Sequence, residues 1–142
     1  LTLSWLTTTT DAIQSTVNGI FTWQIASQQG VSAPQHIFVA FQNVARLNDH
    51  MRSAMIFDKL GVSEMSLRNI GHQEPSEDIL LNFELNNVAR AYNRLWSFMG
   101  CDQNIDTGLQ ISQFDFVHLD PIYYFSLEHL DLFRQSVVDI HF

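Results

Sequence analysis

The 142-residue chain contains little of what several protein classes require. Its single cysteine, Cys101, excludes a framework of internal disulfides and is typical of a reducing compartment. Lysine and arginine number 7 against 15 acidic residues, and the resulting net charge of −8 argues against a protein that mainly grips nucleic acid or an anionic membrane surface. Since no run of about 18 apolar residues occurs, the sequence predicts no membrane-spanning helix.

Charged residues of both signs are also scarce. They make up 15% of the chain, whereas soluble proteins average about 25%. Hydrophobic residues reach 46%, which is enough for the core of one domain. So few charges indicate that part of the protein's surface is covered by other subunits. Because the sequence starts at Leu1 rather than at an initiator methionine, we expect the chain to be a piece of a longer product.

The residues that carry most enzyme chemistry lack catalytic or metal-binding spacing. Cys101 would follow a predicted helix C-terminus and precedes Asp102, and both features disfavour a reactive thiolate. The 102–106 loop lacks the distal glutamate of a calcium loop. The histidines lie at least eleven positions apart, so a cupin-like metal site would lack its paired ligands; they are His36, His50, His72, His118, His129 and His141. We therefore expect no catalytic residue, no metal and no cofactor.

Hydrophobic periodicity predicts about seven or eight short strands. Residues 17–25 alternate with a period of two, which is typical of a half-buried strand. Residues 36–42 form a nearly continuous apolar run, which predicts burial on both faces. A break is predicted at 75–78, and further strands are predicted at 56–60, 63–70, 79–83, 109–117, 122–125 and 136–142.

One segment has the period of a helix instead. Its apolar stripe recurs at steps of three and four residues and predicts an amphipathic helix packed on the sheets, through Leu85, Val88, Tyr92, Leu95, Trp96 and Met99. Arg90 and Arg94 share the opposite face and are predicted to contact water or a partner. Asn86 or Asn87 is the predicted N-cap, and Gly100 is the predicted C-terminal stop.

Strands that do not alternate with helices argue against a parallel sheet. The pattern is best satisfied by an all-β, mainly antiparallel jelly-roll β-sandwich with one inserted α-helix. Residues 1–16 are assigned to a linker or edge segment, and residues 17–142 to a single jelly-roll domain. The predicted structural core and motif positions are Phe38, Val39, Phe41, Tyr92, Leu95, Trp96, Pro121, Tyr123 and Phe125.

Seven short motifs follow one another over residues 15–142. They are PQHIFVAFQ at 34–42, FDKL at 57–60, the glycine-ended strand 62–71 with QEP at 73–75, RAYNRL at 90–95, DTG at 106–108, DPIYYF at 120–125 and VDI at 138–140. In this order the chain resembles the major capsid proteins of Polinton (Maverick) elements and adintoviruses. It departs from them at Ser126, where that family usually has an aspartate.

The resemblance implies the second, C-terminal roll of a double-jelly-roll capsid protein, three chains of which form a pseudo-hexagonal capsomer. We therefore expect a non-enzymatic shell protein that acts by subunit packing. Its expected partners are other copies of itself, with a trimer favoured by the resemblance, and other capsid subunits. Direct contact with nucleic acid or a membrane is not expected. The expected location is the virion, assembled inside the host cell.

Two alternatives remain open at this level. The first is a lectin-like jelly-roll binding module, domesticated by a host cell, which would present exposed aromatic rings in a groove and bind glycans. The second is a cupin-like enzyme, which would carry a bound metal that elemental analysis detects.

Overall fold

The computed structural model describes residues 19–26, 35–47, 51, 53, 56–69, 72–85, 87–100, 111–127 and 135–141. The predicted linker 1–16, Cys101 and the 102–108 loop lie outside the described residues. The strands are β1 Ile20–Ala26, β2 His36–Val39, β3 Glu64–Asn69, β4 His72–Leu80, β5 Tyr123–Ser126 and β6 Gln135–His141. The helices are α1 Val44–Leu47, α2 Ala89–Phe98 and α3 Gln113–His118.

The strands form two antiparallel sheets, which confirms the prediction of a sheet-rich, antiparallel fold. The larger sheet has the order β1-β6-β3-β4, and the smaller one pairs β2 with β5. Strands from the two ends of the described chain meet in the larger sheet, where β1 pairs with β6 from Ile20 opposite His141 to Ala26 opposite Gln135. The predicted strands at 17–25, 63–70, 122–125 and 136–142 correspond to β1, β3, β5 and β6.

The break predicted at 75–78 is found in the pairing with β3 but not in strand β4 itself, which continues through Pro75. Met65 of β3 pairs with Ile79, whereas Leu67 pairs with Glu74, so the register shifts between these two pairs. Residues 75–78 therefore form an irregularity opposite a single residue of β3. Proline cannot donate a hydrogen bond to the ladder, and it is tolerated at such a bulge or on an edge strand.

The strand predicted at 109–117 is also wrong, because residues 113–118 form helix α3. Ser112 caps this helix from an extended conformation, and its Oγ accepts a hydrogen bond from the backbone N–H of Asp115 at 3.1 Å. The Ser112 hydroxyl also donates to Asp115 Oδ2 at 2.7 Å. The local caps therefore outweigh the strand preference of the aromatic residues in this segment.

The strand predicted at 56–60 is replaced by an irregular segment and a turn. The backbone N–H of Phe57 donates to the oxygen of Leu119 at 3.0 Å, and that of Asp58 donates to the oxygen of Phe41 at 2.8 Å. Leu60 and Gly61 then have φ angles of 48° and 71°. An extended strand does not pass through two successive left-handed residues, so the chain turns here before β3.

Helix α2 is shorter than the predicted stripe and begins at Ala89. Its N-cap is Val88, which makes no side-chain cap bond. The prediction of Asn87 as N-cap is wrong, because Asn87 forms backbone hydrogen bonds with Asn82 in both directions, at 2.8 and 3.1 Å. Asn86 lies outside the described residues. Leu85 precedes the helix and is exposed, which corrects its predicted packing role.

The predicted end of α2 is confirmed. Gly100 has φ of 75°, the left-handed conformation that favours glycine after a helix, and its N–H donates to the oxygen of Ser97 at 3.0 Å. The N–H of Met99 donates to the oxygen of Leu95, also at 3.0 Å. The exposed side of the helix carries Arg90 as predicted, whereas Arg94 is half-buried.

One hydrophobic core joins both sheets to helices α2 and α3. The largest side chains that are almost completely buried come from three strands and α3: Met65, Leu67, Ile79, Phe116, Tyr123 and Phe125. Helix α2 adds its buried face, and the residues before and after the helix contribute Val88 and Met99. The small sheet is therefore attached to the rest of the molecule by the burial of one of its faces.

Candidate functional site

The inner face of the β2–β5 sheet is part of the core. In the register of this pair, Val39 lies opposite Tyr123 and Ile37 lies opposite Phe125. Val39, Tyr123 and Phe125 are buried, and Ile37 packs against the core at its margin. Successive side chains of a strand point to opposite faces, so the alternate residues of both strands are directed away from the core.

The outer face of this small sheet carries a cluster of rings. Phe38 lies opposite Tyr124 in the register, with ring centroids 5.3 Å apart. Phe98, at the end of α2, lies 4.9 Å from Phe38 and 4.7 Å from Tyr124. The imidazole of His36 contacts Phe98 edge-on at 5.2 Å. These four residues, His36, Phe38, Phe98 and Tyr124, are named the aromatic surface.

The aromatic surface leaves two large rings open to solvent. Phe38 is 47% exposed and Phe98 is 42% exposed, whereas Tyr124 is buried beneath them. Single exposed hydrophobic residues are common on soluble proteins and carry little information. Adjacent exposed rings on one sheet face are more informative, because contiguous apolar patches mark sites of interaction.

Polar groups border the rings and give the aromatic surface hydrogen-bonding capacity. His36 Nδ1 lies 3.0 Å from the hydroxyl oxygen of Tyr124. Arg94 Nε donates to the backbone oxygen of Tyr124 at 3.4 Å. None of the four residues that define the aromatic surface is a carboxylate, although the chain has a net charge of −8. The aromatic surface is therefore suited to contact apolar or aromatic groups, with an imidazole and a guanidinium at its edge.

Helix α2 fixes the position of Phe98 on this face. Leu95 is buried in the core and anchors the helix. Arg94 and Phe98 are four residues apart and lie on the same side of the helix, where both contact Tyr124. The helix therefore presents a cation and a ring to the small sheet together.

Tyr123 carries the one described buried side-chain polar atom that lacks a hydrogen-bond partner. Its ring is fully buried and packs edge-on against Phe41 at 5.9 Å and Phe116 at 6.2 Å. Burial raises the pKa of the Tyr123 hydroxyl well above its usual range. The hydroxyl therefore stays protonated in the folded chain, and its lost contact with water is not compensated among the described residues.

We expect Tyr123→Phe to stabilise the chain by about 1 kcal/mol, because it removes an uncompensated hydroxyl and keeps the ring. Urea denaturation measures the change. The difference between variant and parent should widen above about pH 10. Above that pH the unfolded parent binds fewer protons at Tyr123 than the folded parent, so the parent loses stability there as pH rises and the variant does not. A variant less stable than the parent would mean that the hydroxyl has a partner.

A second group of exposed side chains surrounds helix α3. A depression of about 360 Å³ is lined by Phe83, Gln113, Phe114, Val117 and His118. Phe114 is 68% exposed, and its ring lies 4.4 Å from the imidazole of His118. Lys59 Nζ lies 5.4 Å from the centre of the Phe83 ring. The depression is open to solvent, whereas small-molecule sites enclose most of their ligand, so the aromatic surface is the stronger candidate.

The predicted core and motif residues are found in three environments. Val39, Leu95, Pro121, Tyr123 and Phe125 are buried, and Phe41 and Tyr92 are half-buried. Tyr92 also donates its hydroxyl to the backbone oxygen of Ile111 at 3.1 Å. The two exceptions are Phe38 and Trp96, which are 47% and 41% exposed.

The position of Phe38 corrects the prediction that residues 36–42 are buried on both faces. Strand β2 ends at Val39, and its sheet has only two strands among the described residues. One face of this sheet closes the core, and Phe98 covers only part of the other. The apolar run could have indicated this surface, because it places hydrophobic side chains on both faces of a single strand.

The histidines have separate surroundings where their side chains are described. His36 belongs to the aromatic surface, and the ring of His118 contacts that of Phe114 in a tilted arrangement. Within the described part of the chain, histidine, cysteine, aspartate and glutamate side chains form no group of three that could hold a metal ion.

Comparison of the chain with known protein families, curated proteins and solved structures finds no match. None of the helices in the described ranges has the length and apolar character of a membrane-spanning segment. The aromatic surface and the sequence itself therefore carry the functional inference.

Proposed function

We propose that this chain is a structural subunit that associates with copies of itself through the aromatic surface, acting by packing rather than by catalysis. The observation that carries the proposal is the exposed pair of rings, Phe38 and Phe98, set against Tyr124. Aromatic side chains contribute large apolar areas, and covering them with another chain is favourable at roughly 25 cal/mol per Å².

The distribution of charge supports a second copy as the partner. Two chains of net charge −8 repel each other over most of their surfaces. The aromatic surface carries no carboxylate among its four defining residues, and the cation of Arg94 borders it. These four side chains therefore add no negative charge of their own to a contact between two acidic chains.

The finer part of the proposal concerns the fold and its setting. We infer a jelly-roll β-sandwich of the double-jelly-roll capsid type, working in the shell of a virion that is assembled inside the host cell. The ordered motifs of the sequence, the antiparallel sheets and the low content of charged residues support this. A jelly roll has eight strands in two sheets, and the described residues supply six. Other capsid subunits are the further partners, and three-fold symmetry is favoured by the resemblance.

We expect Phe38→Ser and Phe98→Ser each to weaken self-association by roughly tenfold or more, because each removes an apolar ring of the kind that carries about 1–3 kcal/mol at interfaces. Sedimentation velocity at several protein concentrations measures the change. Both residues are partly exposed, so each variant should remain folded, which circular dichroism checks.

The matched control is Phe114→Ser, which removes an even more exposed phenylalanine from helix α3. It should leave association unchanged. If Phe114→Ser dissociates the assembly while Phe38→Ser and Phe98→Ser leave it intact, the interface is the α3 surface and the proposal is wrong.

The lectin-like host module remains the second candidate, because exposed aromatic faces also stack on sugar rings. Phe38 and Phe98 would then form part of a glycan site. A glycan array probed with the parent chain and with Phe38→Ser separates the two functions. A monomeric parent that binds a glycan and loses it on Phe38→Ser would favour the lectin-like module over the structural subunit.

A further inference from the structure

The depression beside helix α3, named the α3 depression, shares no residue with the aromatic surface. Two pairs of residues one helical turn apart line it, Gln113 with Val117 and Phe114 with His118, together with Phe83. Val117 is buried, whereas Phe114 is 68% exposed. The α3 depression therefore combines a buried apolar side chain with a ring that is widely open to solvent.

Hydrogen bonds hold both walls of the α3 depression. In the loop that carries Phe83, Asn82 and Asn87 exchange two backbone hydrogen bonds, and Asn82 Oδ1 accepts from the N–H of Leu85 at 2.9 Å. Helix α3 on the other side is capped by Ser112. A site whose walls are already fixed loses less conformational entropy when a partner binds. The α3 depression is therefore preformed.

A cation lies beside this depression. Lys59 is the only lysine of the chain, and its Nζ lies 5.4 Å from the centre of the Phe83 ring. The turn after Lys59 fixes its backbone, because the N–H of the buried Val62 donates to the Lys59 oxygen at 3.2 Å. Within the described ranges no carboxylate pairs with Lys59. None of the five lining residues is acidic, so the α3 depression offers an anion a cation that no described side chain neutralises.

Volume and charge together define what the α3 depression can bind. Its volume of about 360 Å³ suits a few side chains, whereas contacts between folded domains bury about 1,200–2,000 Å². An apolar side chain that covers Phe114 gains from burial, and a carboxylate next to it can pair with Lys59. The exposed carboxamide of Gln113 can bond the backbone of an extended segment. These properties favour a linear peptide over the face of another domain.

We propose that the α3 depression docks a linear segment of a different protein, in which an aspartate or glutamate lies next to an aromatic or large aliphatic residue. The apolar side chain packs against Phe83 and Phe114, and the carboxylate pairs with Lys59. This inference goes beyond the proposed function, because it uses other residues and requires no second copy of the chain.

Selection of random linear peptides displayed on phage tests the inference without assuming a sequence. The parent chain should enrich peptides that join an acidic residue to an aromatic or large aliphatic one. The enriched peptide is then synthesised with a fluorophore and a blocked amino terminus, and its dissociation constant is measured by fluorescence anisotropy. Added salt should weaken the binding, because it screens an ion pair near the surface.

Variants of the full chain locate the binding. Phe114→Ser should raise the peptide's dissociation constant roughly tenfold or more, and Lys59→Met should raise it about two- to fivefold. Lys59→Arg keeps the charge and should retain binding. Two controls should match the parent: Arg90→Gln removes an exposed cation of α2, and Phe98→Ser alters only the aromatic surface. Circular dichroism checks that each variant is folded.

The single lysine also permits a direct mapping of the contact. A carbodiimide should join a carboxylate of the bound peptide to Lys59 through an amide bond, which mass spectrometry locates. An amide at the amino terminus of the chain alone would contradict the proposed site.

Three further results decide the inference. It is overturned if no acidic–apolar motif is enriched, or if folded Phe114→Ser and Lys59→Met bind the peptide as tightly as the parent. It is also overturned if Phe98→Ser loses the peptide while Phe114→Ser retains it, because the site is then the aromatic surface. A monomeric parent that binds the peptide through Phe114 and Lys59 would support the inference and contradict the proposed self-association.

Discussion

Leu95→Ala is expected to lower the free energy of unfolding by about 2–5 kcal/mol, the range for large-to-small changes in a core. Leu95 is 3% exposed and is the buried anchor of helix α2, whose neighbours in the core include Val88, Ala91 and Met99. Removing its branched end leaves a cavity between the helix and the sheets, because a closely packed core relaxes only in part. Urea denaturation followed by circular dichroism measures the loss.

The control for this variant is Leu85→Ala. Leu85 belongs to the same predicted stripe but precedes the helix and is 78% exposed, so its truncation should change the free energy of unfolding by less than about 0.5 kcal/mol. If the two variants were equally stable, helix α2 would not dock through Leu95 and the described core would be wrong.

Phe116→Ala is expected to lower the free energy of unfolding by about 3–5 kcal/mol, the range for removing a buried aromatic ring. Phe116 is fully buried, and its ring packs edge-on against Tyr92 at 5.7 Å and Tyr123 at 6.2 Å. It therefore connects α3 to α2 and to β5, and alanine removes all of these contacts at once. Thermal and urea unfolding should both report the loss.

The control lies two residues earlier in the same short helix. Phe114 is 68% exposed, and Phe114→Ala replaces it with a residue of higher helix propensity. It should therefore leave the stability within about 0.5 kcal/mol of the parent. Equal losses at the two positions would contradict the helical assignment, because a strand would place residues 114 and 116 on the same face.

That contrast shows where the sequence is informative and where it misleads. Strands β1 and β6 are predictable from a local period of two, and they pair with each other along their whole length in a regular ladder. Helix α3 is missed because its aromatic residues favour strand. The capping signal at Ser112 and Asp115 was nevertheless present, as a serine followed three residues later by an acidic side chain.

Other differences arise from contacts between distant segments. The segment at 56–60 has an apolar composition that permits a strand, but its backbone bonds go to Phe41 and Leu119 instead of to a ladder. Pro75 favours a break in the local sequence, but β4 pairs with β3 on both sides of this residue, and the strand therefore continues. Neither outcome follows from local propensity, because the partners lie elsewhere in the chain.

The aromatic surface is the least predictable feature for the same reason. Its rings come from β2, α2 and β5, and the hydrogen-bonded pair His36 and Tyr124 is separated by 88 positions. The sequence predicts Phe38 as a buried residue, which is correct for its neighbour Val39 on the other face of β2. The outer face of the small sheet is covered only where Phe98, at the end of α2, packs against it. The local sequence of β2 does not contain this information.

The most direct test of the account is the molar mass of the parent chain in solution, measured by light scattering after size exclusion at micromolar concentration. We predict a defined multiple of 16.3 kDa, with a trimer favoured by the resemblance to capsid proteins. Closed symmetric assemblies are the usual outcome when a chain associates with itself. A single species of 16.3 kDa at every concentration would contradict self-association through the aromatic surface and with it the structural role.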